Sequence, residues 1–280
     1  MQESNIIGID LGGTNVRVAS ITDLKIKKIN SRKINSQGSV EDVLKEIYSI
    51  IDTVIDSHSK AIGIGLPGLV DEDKGVVYDV INIPSWKEVS VRSLFEEKYQ
   101  IPVRIQNDAN CFALGEFYFG KGRGYNSMIG LTVGTGIGGG IILNKKLYAG
   151  SSGGAGEFGM MPYLDKYFEY YASGQFFRNI HDVSGEEVFQ QAKEGNNHAL
   201  SLYAELGNHL GKVFQAILYS YDPELIVVGG SLKNAWSYYS DRIWESLYSF
   251  AFSRTVHKLK IEISELENAG LLGAAALQME

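Results

Sequence analysis

One cysteine, Cys111, stands in 280 residues, and that scarcity excludes two kinds of protein. No internal disulfide can form and no zinc site can be built on paired thiolates, which is compatible with a reducing compartment. Basic clusters are missing as well. With 26 Lys and Arg against 33 Asp and Glu the net charge is -7, and the densest basic stretch, Lys25, Lys27, Lys28, Arg32 and Lys33, alternates with isoleucines as the solvated face of an edge strand does. A broad footprint for nucleic acid is therefore not expected. Nor is there a long hydrophobic run. The stretch from Met1 to Ile9 lacks a basic leader and is broken by Asp10, so neither a secretory signal nor a membrane span is expected, and the protein reads as cytoplasmic.

What is present is a chain with 44% hydrophobic residues, enough to bury a substantial core in one large unit or two lobes. Ile6 to Ala19 reads as a hairpin reversing at Leu11-Gly12-Gly13-Thr14, with Asp10 at its mouth. Lys25 to Ile34 is extended, and Val40, Val43, Leu44, Ile47, Ile50, Ile51 and Val54 recur at helical spacing. Ala61 to Leu66 reads as a buried strand, Val91 to Tyr99 as a helix, Val103 to Ile105 as a strand and Ala109 to Phe119 as a helix entered through Asn107-Asp108. After the glycine and charge cluster at residues 120–124 the pattern starts again. Strands are expected at Met128–Val133, Gly140–Leu143 and Leu225–Val228, a long amphipathic helix from Leu200 to Tyr221, and a closing helix from Asn268 to Met279. Two similar α/β lobes with a cleft between them follow from this repetition.

Two stretches fit G-x-G-x-x-G: Gly134, Gly136, Gly139 and Gly154, Gly156, Gly159. The dinucleotide reading needs a helix after the motif, and the first match runs into β-like Gly140–Leu143 instead. No G-x-x-x-x-G-K-[ST] exists, so a P-loop is unsupported. What remains is a pair of strand–turn–strand units, one around Gly12 to Asn15 and one around Gly134 to Gly139. Glycines in a hairpin tip let backbone N–H groups approach anionic oxygens, and a Thr hydroxyl adds a donor. Two such tips could hold a triphosphate, with Asp10 positioning Mg2+, directly or through water. Either tip alone could equally be a plain tight turn.

The chain resembles the ROK (repressor, open reading frame, kinase) sugar kinases of the actin-like ATPase superfamily over essentially its whole length. The resemblance is carried by Asp10–Asn15, Gly65–Gly68, Asn82–Trp86, Asn107–Asn110, Gly134–Gly139, Gly156–Gly159, Glu169–Gly174 and Asp222–Gly230, in that order. It implies a two-lobed α/β, ribonuclease H-like fold, with an N-terminal lobe at 1–115 joined by the closing helix 267–280 and a C-terminal lobe at 116–266. It also implies an ATP- and Mg2+-dependent kinase acting on a small-molecule sugar, by the family's habit at the terminal primary hydroxyl. Asp108 resembles the base that takes the hydroxyl proton, and a helix N-terminus favours the charged carboxylate such a base needs. On local sequence alone Asp108 could instead be a helix cap. Gly68, Asn82, Asn107, Glu157 and Glu169 resemble sugar-binding residues. Asp10, Gly12, Gly13, Thr14, Asn15, Thr135, Gly136, Gly229 and Gly230 resemble the nucleotide-binding set.

The sequence also departs from the family. Many members have a His followed by a cysteine-rich, zinc-binding loop; here Met160 stands at the His position and residues 161–168 leave no room for that loop. No zinc site is expected, and the five histidines show no ligand spacing. Because the family His touches the sugar, Met160 leaves its identity open: glucose is the default, with fructose, mannose and N-acetylhexosamines as alternatives. Tyr163, Tyr167, Tyr170 and Tyr171 could supply a replacement polar contact or could be packing residues, and Trp86 could be a sugar platform or core. A non-catalytic sugar sensor is the alternative function. The family's repressors carry an N-terminal helix-turn-helix domain, whereas the first strand is expected within a few residues of Met1. Trp244 to Phe252, read as apolar helix, offers a face for a homodimer or for the core.

Overall fold

The first strand sets the pattern of the fold. Ile7, Ile9 and Leu11 of Asn5–Leu11 are buried on one face, in a core shared with Val16, Val18, Ile62, Ile64, Val103 and Ile105. The alternate positions, Ile6, Gly8 and Asp10, necessarily face the other way. The protein is described from a computed structural model covering residues 5–12, 15–23 and 25–280, so Gly13 and Thr14 of the expected first turn lie outside the described residues.

The chain divides into two units, Met1–Gly124 with Gly140–Ala155 and Glu265–Glu280, and Tyr125–Gly139 with Gly156–Ser264. In the first, five strands lie in the order Lys25–Lys33, Asn15–Thr22, Asn5–Leu11, Ser59–Leu66, Val103–Asn107. The first two junctions are antiparallel hairpins and the last two are parallel, with the Val40–Ile51 and Val91–Tyr99 helices between strands in sequence. Ser39 caps the former helix in a capping box with Asp42, and its Val43, Leu44, Ile47, Ile50 and Ile51 enter the core. The terminal helix Ala269–Ala276 covers the opposite face, where Leu271, Leu272 and Ala275 pack on Ala19 and Ile21.

An expected boundary at 115/116 would cut the Asp108–Phe119 helix, which runs unbroken inside the first unit. Gly140–Ala155 belongs to that unit too, because Gly140 backs directly onto Ala109 and Ala113 of this helix. A small sheet of Leu69–Asp71, Val76–Tyr78 and Glu88–Val89 was not foreseen. Its strands have two or three residues each, too few to show a period.

In the second unit Met128–Val133 is flanked by the start of Ile137–Leu143 and by parallel Leu225–Gly229, beyond which lies parallel Lys260–Ile263. The 25-residue helix Asn197–Tyr221 packs on Trp236–Tyr248, with Gly207 and Gly211 against Tyr239 and Ser246. The stretch expected as one apolar helix from Trp244 is helical only to Tyr248. Beyond it Phe250 is buried and Phe252 is exposed.

Candidate active site

In open α/β sheets the carboxyl ends of parallel strands are where ligands bind, since helix N-termini and loops converge there. In the first unit Asp10, Gly65 and Asn107 stand at that edge. Asp10 pairs in register with Gly65, and Gly65 with Gln106, while Asn107 sits opposite Leu66 at the strand ends. Asp10 is ion-paired with Arg17, its cross-strand partner, whose other guanidinium nitrogen donates to Asn268 Oδ1 at 3.3 Å. Gly12 N donates to Asn15 O at 2.8 Å across the turn.

Asn107, not Asp108, caps the following helix. Its Oδ1 accepts from Ala109 N at 2.8 Å and Asn110 N at 3.4 Å, and its Nδ2 donates to Gly68 O at 3.1 Å. The cap reading of Asp108 therefore passes to its neighbour, and Asp108 is the exposed first residue of the helix. Burial pushes the Cys111 thiol well up, with further pushes from the Asp10 and Asp108 carboxylates, which favours its protonated form. Asn82 lies exposed on a turn closed by Ile83 N to Val80 O, and among the described residues no side-chain hydrogen bond ties it to the others. Trp86 is fully buried in the core and offers no face to a ligand.

Sequence reasoning missed the support beneath Asn107. Fully buried Gln106 accepts from Asn107 N at 2.8 Å and Asn110 Nδ2 at 3.1 Å, and donates to Glu72 Oε2 at 3.1 Å; Glu72 in turn is paired with Arg104. A buried amide with every polar atom engaged fixes the strand-to-helix turn. The only signal was a glutamine at an inward strand position, which pattern reading cannot distinguish from an exposed one.

The second unit repeats the arrangement. Gly134–Gly136 follows strand Met128–Val133, and Gly230 and Ser231 follow Leu225–Gly229, whose Gly229 pairs with Thr132. Gly230 has φ +79° and meets the Val133 backbone so closely that no Cβ fits. Beside these turns is a cavity of about 490 Å3 lined by Gly134, Thr135, Gln175, Arg178, Ser231 and Asn234, among others. Gly229 is buried in its strand, so Ser231 is the member of this turn that reaches the cavity.

Glu169 braces the glycine turn. Its Oε2 accepts from Ile137 N at 2.8 Å and its Oε1 from Gln175 Nε2 at 3.0 Å, and a Cβ on Gly136 would overlap the carboxylate. Glu157, exposed at its surface, has its carboxyl held above the usual value by desolvation and then by the Glu169 charge. An acid with a raised folded value makes the fold less stable as pH rises through that value. Glu157→Gln is therefore expected to raise the melting temperature near pH ~7 and to leave it unchanged near pH ~4; equal gains at both pH values would remove this reading.

The Pro162–Tyr163 and Lys166–Tyr167 hairpin occupies the segment between Met160, which is 57% exposed, and Glu169. Tyr163 stacks on Phe168 and its hydroxyl lies 3.1 Å from His209 Nδ1, while Tyr171 donates to Asp165. Burial lowers the affinity of His209 for a proton, favouring the neutral ring. These two tyrosines are thus engaged in local packing and hydrogen bonding.

The two α/β units align with solved ROK kinase structures, which gives the chain the fold of the actin-like ATPase class. The match of the ROK family model to residues 6–280 makes the assignment specific, and the chain belongs to the ROK family. It is 28% identical to a glucokinase of Thermotoga maritima over 100% of this chain and 99% of that one. A ROK family glucokinase from Streptomyces griseus, solved in complex with glucose and AMPPNP, aligns at TM-score 0.83 and 26% identity over 98% of this chain and 99% of that one. A xylose repressor of Caldicellulosiruptor bescii is 25% identical over 98% of this chain and 77% of the repressor. No helix among the described residues is long and apolar enough to cross a membrane.

Proposed function

We propose that the chain is a glucokinase-like, ATP-dependent sugar kinase in which Asp108 deprotonates the acceptor hydroxyl. The observation that carries the reading is the cavity of the second unit, where the Gly134–Thr135 turn and Ser231 border a volume of about 490 Å3, enough for a nucleoside. Backbone N–H groups of the turn suit phosphate oxygens, and Arg178 supplies a cation at the same wall. Glucose is a substrate candidate because the glucokinase relatives match this chain over nearly its full length.

In the proposed reaction a sugar hydroxyl oxygen bonds to the γ-phosphorus of ATP while the bond to the β-γ bridging oxygen breaks. Asp108 takes the hydroxyl proton, and ADP leaves with the electron pair. The charge of that transition state is spread over phosphoryl oxygens, so alignment and electrostatics do most of the work. Asn107, Gly68, Asn82, Glu157 and Glu169 form the proposed sugar-binding set. Asp10, Gly12, Gly13, Thr14, Asn15, Thr135, Gly136, Gly229 and Gly230 form the proposed nucleotide set, the last two by shaping the turn.

Mg2+ is proposed as the companion of ATP, where it neutralises phosphate charge. The donor this reading offers is a single carboxylate, Asp10, ion-paired with Arg17. Such a site suits an ion that arrives on the triphosphate and keeps its waters. Asp10, oriented by Arg17, would hold such an ion through its waters.

A panel of glucose, fructose, mannose, N-acetylglucosamine and N-acetylmannosamine with Mg-ATP and coupled ADP detection tests the reading. One hexose is expected to stimulate ADP release well above background. Sugar binding without stimulation by any member would favour the sensor reading, to which the repressor relative lends its support.

A further inference from the structure

The segment that carries Glu169 is stitched to the glycine turn more tightly than a sugar ligand requires. Gly174 N donates to Gly134 O at 2.7 Å. The Ser173 hydroxyl lies 2.9 Å from Thr135 O and 2.7 Å from Glu169 O, and accepts from Gln175 N at 3.1 Å. Gln175 then reaches in two directions: it lines the cavity beside Thr135 and Ser231, and its Nε2 donates to Glu169 Oε1 at 3.0 Å. With Ile137 N on Oε2, both oxygens of the carboxylate are held by groups belonging to the cavity wall or the turn.

We propose that Gln175 is a positioning residue that couples nucleotide occupancy of the cavity to sugar affinity at Glu169, an inference that rests on the kinase reading above. A carboxylate has about four lone-pair directions, and two are committed here, so the other two point where Ile137 and Gln175 aim them. Gln175 is half-buried at the rim of the cavity. A nucleotide filling that volume restricts its amide, which fixes Glu169 and pre-orders the remaining lone pairs for sugar hydroxyls. By linkage the same factor must appear in reverse, with sugar tightening nucleotide binding.

The test is calorimetric titration of the full-length protein with the hexose selected by the panel, glucose first, with and without saturating AMPPNP. In the unmodified protein the nucleotide is expected to tighten sugar binding by about 5-fold or more. In Gln175→Met, which keeps the volume and loses the donor, that ratio falls to within about 2-fold of unity, whatever the change in the Kd for AMPPNP alone. Gln175→Glu sets a carboxylate against Glu169 and serves as the second variant should the first not fold, with the same loss of coupling and weaker sugar binding in the absence of nucleotide. Mere packing would lower both affinities and leave their ratio intact. Retained coupling in either folded variant, or none in the unmodified protein, overturns the proposal and leaves the kinase reading standing. Failure of every hexose to bind removes both.

Discussion

Asp108→Asn is expected to lower kcat by about 100- to 10,000-fold while the Kd for sugar stays within a few-fold and the melting temperature holds. The size of the loss follows from the proposed role: an amide cannot take the hydroxyl proton, so the oxygen must attack undeprotonated. The separation of activity from stability follows from the local structure. The helix is capped by Asn107, whose Oδ1 accepts from Ala109 and Asn110, so removing the charge at residue 108 leaves the cap in place. Asp108 Oδ1 accepts from Ala109 N at 2.9 Å, and Asn presents an oxygen that can do the same. Steady-state kinetics beside sugar titration checks the split. Parallel losses in kcat and sugar affinity would recast Asp108 as a ligand, and an unchanged kcat would remove it from the chemistry.

Elements with a strong period were legible in the sequence, and so was the order in which they follow one another. Val91–Tyr99 and Met128–Val133 match their expected ends, and the helix through Ile47 and Ile51 was visible because five of its residues share one buried face. Short or polar elements were not legible. Lys260–Ile263, for which no strand was expected, pairs parallel with Leu225–Gly229. At the site, motif residues such as Asp10 and Asn107 could be named, because tight turns and caps demand particular residue types. Their supports could not. Gln106, Glu72 and Gln175 act through tertiary hydrogen bonds to residues distant in sequence or in another element, and no local spacing encodes those. The roles of the tyrosines also needed coordinates, since Tyr163 meets His209 across 46 positions.

Gly273→Val is expected to destabilise the protein by about 3 kcal/mol or more, because overpacking against backbone has no easy relief. Intrinsic helix propensity argues the other way, favouring Val over Gly by a few tenths of a kcal/mol, so the sign of the result decides which effect dominates. The contact decides it. A Cβ on Gly273 would overlap the Cys111 carbonyl, and the facing surfaces are equally bare: Cβ atoms on Gly63 and Gly115 would overlap the carbonyls of Ala274 and Ala269. Glycines on both sides of a backbone-to-backbone contact leave no flexible side chain to move aside, so the terminal helix must retreat as a body. Retreat strips Leu271, Leu272 and Ala275 from Ala19 and Ile21. It also withdraws Gly270 and Asn268 from the Asp10–Arg17 pair, so the proposed metal-positioning carboxylate loses its setting together with the fold. At roughly 2–4 °C per kcal/mol for a protein of this size, thermal melts should fall by about 6–12 °C. Gly154→Ala is the control, since the nearest atom to its Cβ is Leu69 Cδ1 at 3.8 Å, an ordinary contact. A Gly273→Val melt no lower than that control would mean that the helix is free to shift and that its glycines are not what holds Asp10 in place.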